Sequence, residues 1–218
     1  MGMSYAAYLS SLLLFGSNGI FAAAIALPSL DIVVARTFLG ALLLGLLLAV
    51  ALVARRRRGD APASPAPHRG AALALIACSG AALGASWIVL FEAYTLVGVG
   101  TASLLYYCGP VIVMALAPLL FKERLGLAKI AGFAAVALGA VLVSSQSAGG
   151  GQDPRGLALG AASALAYAVM IVCSKKATAF CPQAADQGLR NSLVQLLAGF
   201  AVAAAYAAIS QGPDALLI

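Results

Sequence analysis

"VGVGTASLLYYCGPVIVMALAPLLF", residues 97–121, runs for 25 positions without one Asp, Glu, Lys or Arg. A membrane-spanning helix needs about 20 consecutive apolar residues, so this stretch already argues for a bilayer. Its apolar residues do not alternate with a period of two, which excludes a strand of a transmembrane barrel. A helix is the remaining structure that satisfies the backbone in lipid.

The rest of the chain agrees. Hydrophobic residues make up 63% of the 218 positions and charged residues 9%, where an ordinary soluble domain has about 25% charged. Mean hydropathy is +1.02. Cutting the chain at its charges gives about seven predicted spans, at residues 6–26, 32–54, 70–91, 97–121, 126–145, 156–174 and 188–209. The expected fold class is an all-α, polytopic helical membrane protein.

The polar stretches between the spans are read as connections. Residues 55–69, "RRRRGDAPASPAPHR", form a basic, Pro-rich loop, and residues 146–155, "QSAGGGQDPR", form a glycine-rich external linker. His68 is alone in its loop, and Cys78, Cys108, Cys173 and Cys181 lack CxxC spacing, so neither a metal site nor a cofactor is expected. The net charge of +6 does not point to nucleic acid, because the basic residues gather at span ends. With a cytoplasmic N-terminus, 11 of the Lys and Arg residues fall inside and only Arg36 and Arg155 outside. The expected location is therefore the cytoplasmic (inner) membrane. The first span lacks the basic leader of a signal peptide and is expected to be retained.

A weak repeat runs through this pattern. Arg36 opens the second span in "DIVVARTFLGALLLG" and Arg190 opens the seventh in "ADQGLRNSLVQLLAG", an offset of 154 residues. Five spans precede the linker, so the second unit would enter the membrane in the opposite sense, as in inverted-repeat transporters.

These residues also resemble a known family. "LDIVVARTFLGALLL" (30–44), "FEAYTLVGVGTASLLYYCGPVIVMALAPLLFKERLG" (91–126) and the glycine-spaced "IAGFAAVALGAVLV" (130–143) are similar to the EamA-type drug/metabolite transporter superfamily. That resemblance implies two inverted five-helix units, with cytoplasmic termini, and export of amino acids, other metabolites or drugs. On this reading residues 1–145 are the first five-helix unit and residues 156–218 an incomplete second unit of two helices, a partial 5+5 fold. The expectation is then a fragment, a homo-oligomer sharing helices, or a partner supplying the missing C-terminal helices.

Several polar and aromatic residues inside the spans are candidates for the substrate path. Ser17 and Asn18, in "LFGSNGIF", place neutral hydrogen-bonding groups near mid-membrane, with helix-packing glue as the alternative. Trp87, Glu92 and Tyr94 are read as an aromatic pocket with a carboxylate end, or alternatively as an interfacial belt. In "YYCGP" (106–110), Tyr106 and Tyr107 are placed on the path, and Gly109 with Pro110 is expected to kink and flex the helix.

The function expected from all this is secondary transport of a small organic metabolite, an amino acid or drug-like compound, outward by alternating access. Lipid and cargo are its expected partners. A non-transporting or helix-sharing membrane partner is the alternative. An embedded enzyme ranks below both, since the chain has no HExxH, no GxSxG and no nucleotide loop GxxxxGK[ST].

Overall fold

The computed structural model describes residues 28–59, 69–121, 153–180 and 187–210, with positions inside 9–14 and 126–142. Among the described residues no strand occurs. Four helices carry the fold: α1 (Ser29–Arg57), α2 (Arg69–Phe121), α3 (Pro154–Phe180) and α4 (Gln187–Ser210). All four are long and apolar enough to cross a membrane. The predicted spans at 32–54, 70–91, 97–121, 156–174 and 188–209 fall within these helices. Those at 6–26 and 126–145 lie largely outside the described residues, and the positions described within them, residue 126 apart, are helical.

The 53 residues of α2 would extend about 80 Å as one helix, against a hydrocarbon core of about 30 Å. The chain breaks the helix at Gly98, whose φ of 78° and ψ of 159° lie in a region that essentially only glycine enters. The two arms then fold back on each other. Ser103 donates a hydrogen bond to the Tyr94 hydroxyl at 3.1 Å, whereas nine residues of continuous helix would separate these positions by about 13 Å. Trp87 and Phe91 on the first arm share one core with Ala102 and Tyr106 on the second. The connection between the third and fourth spans was expected around residues 92–96 and occurs at Gly98. Pro110 and Pro118 lie within the helix, and Gly98 alone in α2 has non-helical dihedrals.

Replacing Gly98 with alanine is expected to destabilise the folded protein by about 1–3 kcal/mol, from backbone strain alone. A Cβ at this position meets nothing within 4 Å. The comparison variant is Gly100→Ala, where a Cβ also meets nothing within 4 Å but the dihedrals are helical, so the change is expected to be neutral or stabilising by up to about 1 kcal/mol. Denaturant unfolding of both variants, followed by circular dichroism, checks the contrast. Equal behaviour would remove Gly98 from its role as the break.

Helix directions follow from which residues meet. Gly156 of α3 lies against Leu96 and Val97, Gly160 against Leu105, and Gly109 against Ala164 and Tyr167. Lys175 reaches the Phe121 ring at 4.1 Å. Numbers rise together, so the second arm of α2 and α3 are parallel. In the first arm the numbers run oppositely: Cys78 faces Cys173 and Ser79 faces Met170, so that pair is antiparallel. Gly80 meets Gln195 and Gly84 meets Gly199, which sets α4 parallel to the first arm. Gly40 faces Leu196, Gly45 faces Leu193 and Phe38 faces Phe200, so α1 and α4 are antiparallel.

Packing follows membrane logic, where lipid is as apolar as leucine and small residues let helices approach. Leu39, Leu42, Leu43, Leu46, Leu47 and Val50 of α1 are exposed, while Val33, Thr37 and Ala41 are buried. Hydroxyls inside the spans mostly bond back to their own helix. Thr37 donates to the Val33 and Val34 carbonyls, Ser86 to Leu83 and Ser163 to Gly160.

Candidate functional site

The polar focus of the interior is Arg36. It lies two turns into α1, and that helix of 29 residues is about 43 Å long, so Arg36 sits about 10 Å from the helix midpoint and within the hydrocarbon core if the helix is centred in the membrane. A cation near that depth costs on the order of 3 kcal/mol to insert, unless it faces the interior and finds compensation. Arg36 does face inward. Its guanidinium stands 3.9 Å from the centroid of the Trp87 ring and 5.8 Å from that of Phe91. A desolvated contact of this kind contributes about 2 kcal/mol.

The first arm of α2 builds the platform by helical spacing. Trp87, Leu90, Phe91 and Tyr94 recur at three- and four-residue intervals and so share one face. Trp87, Leu90 and Phe91 are buried and Tyr94 is half-buried. Phe91 and Tyr94 are tilted against each other at 5.1 Å. The second arm brings Tyr106 over this face, with its ring stacked on Tyr167 of α3 at 4.5 Å. Tyr106 is 3% exposed, and its hydroxyl, near Ser86 and Trp87, makes no hydrogen bond of acceptable geometry. Tyr94 and Tyr106 pack against the cluster of Trp87 and Phe91, the rings that flank Arg36. Among the described residues no ion pair or hydrogen bond engages the Arg36 guanidinium.

The sequence-predicted site residues divide accordingly. Trp87, Tyr94 and Tyr106 come together around Arg36. Glu92 does not join them: it is exposed, one position off the buried face, and its carbonyl accepts a bond from Thr95. Tyr107 is 37% exposed, with its ring tilted against that of Tyr106. Gly109 is buried beneath Tyr167 and Ala164, and Pro110 is exposed on the same arm. Ser17 and Asn18 lie outside the described residues. Arg190, paired with Arg36 as a repeat marker, is half-buried in the first turn of α4.

Sequence reasoning gave Arg36 no part in the path, although a lone cation inside an apolar span is a functional signal by default. It also missed a second polar junction. Buried Ser79 donates to the Met170 carbonyl of α3 at 2.9 Å and accepts from Gln195 Nε2 of α4 at 2.6 Å. Three helices are tied together at this point, about 12 Å along α2 from Trp87. The glycines beside it, Gly80 and Gly84 against Gly199, bring α2 and α4 backbones into contact. Gln195 was the legible clue, as an amide in an otherwise apolar span. No group of three or more His, Cys, Asp or Glu able to hold a metal occurs among the described residues.

Such an arrangement, apolar helices outside and a half-buried, inward-facing cation with aromatic and hydroxyl groups inside, defines a multi-pass helical membrane protein with a polar interior. The family model of the EamA-like transporter family matches residues 2–145. The chain belongs to that family, one of membrane transporters of small molecules. Neither the curated proteins nor the solved structures contain a match to it.

Proposed function

We propose that this protein is a secondary transporter that moves a small organic metabolite out across the cytoplasmic membrane by alternating access, with its N-terminus inside. The observation that carries the reading is the Arg36 site: a cation facing the helix interior, on an aromatic platform, among hydroxyls that leave hydrogen-bonding capacity for cargo. Two further features support it. Helices α1 and α4, which hold Arg36 and Arg190, are antiparallel neighbours, as an inverted pair of units requires. The basic residues of the loop after α1 collect at one membrane side, with Arg55, Arg56 and Arg57 in its last turn.

Purified protein in liposomes tests the reading, with labelled amino acids and amphipathic drugs loaded inside. At least one compound is expected to leave saturably, about tenfold faster than from protein-free liposomes. Initial rates that rise with the square of the protein-to-lipid ratio would show that two copies share helices. Proportional rates would show a self-contained carrier. No saturable efflux of any compound at any density would overturn the proposal in favour of a non-transporting membrane partner.

A further inference from the structure

We infer that the Arg36 site receives a small organic monocarboxylate with an apolar body, its carboxylate taken by the guanidinium and the Tyr106 hydroxyl. This rests on the transport reading for its physiological meaning, but not for its chemistry. A guanidinium held over an indole ring finds no nitrogen or oxygen acceptor there. Its five N–H donors point outward in its own plane and remain available in the fork that matches a carboxylate. Contact with the Trp87 ring at 3.9 Å therefore holds Arg36 in place without satisfying its donors. No described carboxylate does so either: Glu92 is exposed, and Asp31 on the same helix forms no ion pair with Arg36.

Tyr106 supplies a second, independent indication. Its hydroxyl is buried and lacks a partner, although it can donate a hydrogen bond. It packs in one cluster with Trp87, the ring that carries Arg36. One fixed cation and one buried O–H donor make a pair suited to an anionic acceptor rather than to an amine. The remaining walls are the Trp87, Phe91 and Tyr167 rings, which favour an apolar or aromatic body on the cargo. Among the described carboxylates Glu92 is exposed and Asp31 and Asp153 are half-buried, so none of these offers a buried acid to an ammonium group.

Trp87 is the only tryptophan in the chain, so its emission reports this site alone. The experiment titrates the full chain, in phosphatidylcholine vesicles, with 3-phenylpropanoate and with phenethylamine, which replaces the carboxylate by an amine on a similar skeleton. 3-Phenylpropanoate is expected to change Trp87 emission saturably, and phenethylamine to bind at least tenfold more weakly. Arg36→Gln should weaken 3-phenylpropanoate at least tenfold. Tyr106→Phe should weaken it about fivefold while leaving the unfolding midpoint in place, since the hydroxyl it removes has no partner. If Arg36→Gln does not fold, Tyr106→Phe and the ligand pair still decide the matter.

Equal binding of the amine, wild-type affinity in the folded variants, or no saturable response to the carboxylate would overturn the inference. A parallel titration with phosphatidylglycerol vesicles separates cargo from lipid. If anionic lipid alone reproduces the emission change and 3-phenylpropanoate adds nothing, the site holds a headgroup and the inference fails. Efflux is measured on the same vesicles. Carboxylate binding with the stated dependence but no flux of any compound would refute transport and leave the site assignment standing. Flux without carboxylate preference would do the reverse.

Discussion

Leucine at Gly84 is expected to separate α2 from α4 and to cost about 3 kcal/mol, at the upper end of what overpacking usually costs. Even an alanine Cβ there would lie 2.6 Å from the Gly199 carbonyl oxygen and 2.8 Å from its Cα, and these are backbone atoms that no rotamer change can move. At neighbouring Gly80 the added Cβ would meet the Gln195 backbone and the Ala198 Cβ. The junction of Ser79, Met170 and Gln195 lies beside these glycines, so parting the helices also breaks its hydrogen bonds. Those bonds add only about 0.6 kcal/mol each in a membrane, which makes backbone contact the larger loss. Denaturation in mixed micelles, read by circular dichroism, measures the effect. Gly45→Ala is the matched substitution in α1, where the new Cβ meets only the Leu193 side chain at 4.0 Å. It should be neutral. A Gly84→Leu protein as stable as the wild type would mean that α2 and α4 are not in backbone contact.

Removing the indole should be the most damaging single change to transport. Trp87→Leu is expected to lower efflux more than tenfold, because Arg36 loses its platform and its docked position loses about 2 kcal/mol of support, equivalent to a factor of about 30. Trp87→Phe keeps a ring face and should retain a substantial part of the activity. Glu92→Gln is expected to leave both efflux and proton-driven accumulation within about twofold of wild type, since Glu92 is exposed and off the platform. The discriminating result is the order of the two effects. Loss of accumulation in Glu92→Gln with normal efflux in Trp87→Leu would move the coupling site to the carboxylate and away from Arg36.

Membrane residence, helical class and most span positions could be read from residue order alone, because each depends on local properties. A charge-free run such as 97–121 cannot leave its backbone unsatisfied in lipid, whatever it packs against. The division of α2 into two crossings was equally legible, since a largely apolar stretch of 53 residues is too long for one bilayer crossing. The choice of Gly98 as the break, over nearby residues 92–96, needed the structure: which of several glycines takes positive φ depends on where the arms can close on Trp87 and Tyr106.

Helix faces were not legible, for a physical reason. In water the buried face of a helix is the apolar one, but in lipid both faces are apolar and burial follows size and shape. In α1 the exposed Leu42 and Leu46 and the buried Val33 and Ala41 give no polar periodicity to read. The partnership of Arg36 with Trp87 joins residues 51 positions apart, and that of Ser79 with Gln195 joins residues 116 apart. Sequence therefore named Trp87, Tyr94 and Tyr106 by their chemistry, yet ranked Glu92 with them and left Arg36 out. Tertiary packing turns Arg36 inward and leaves Glu92 exposed, and that choice depends on which helices meet, which residue order alone does not fix.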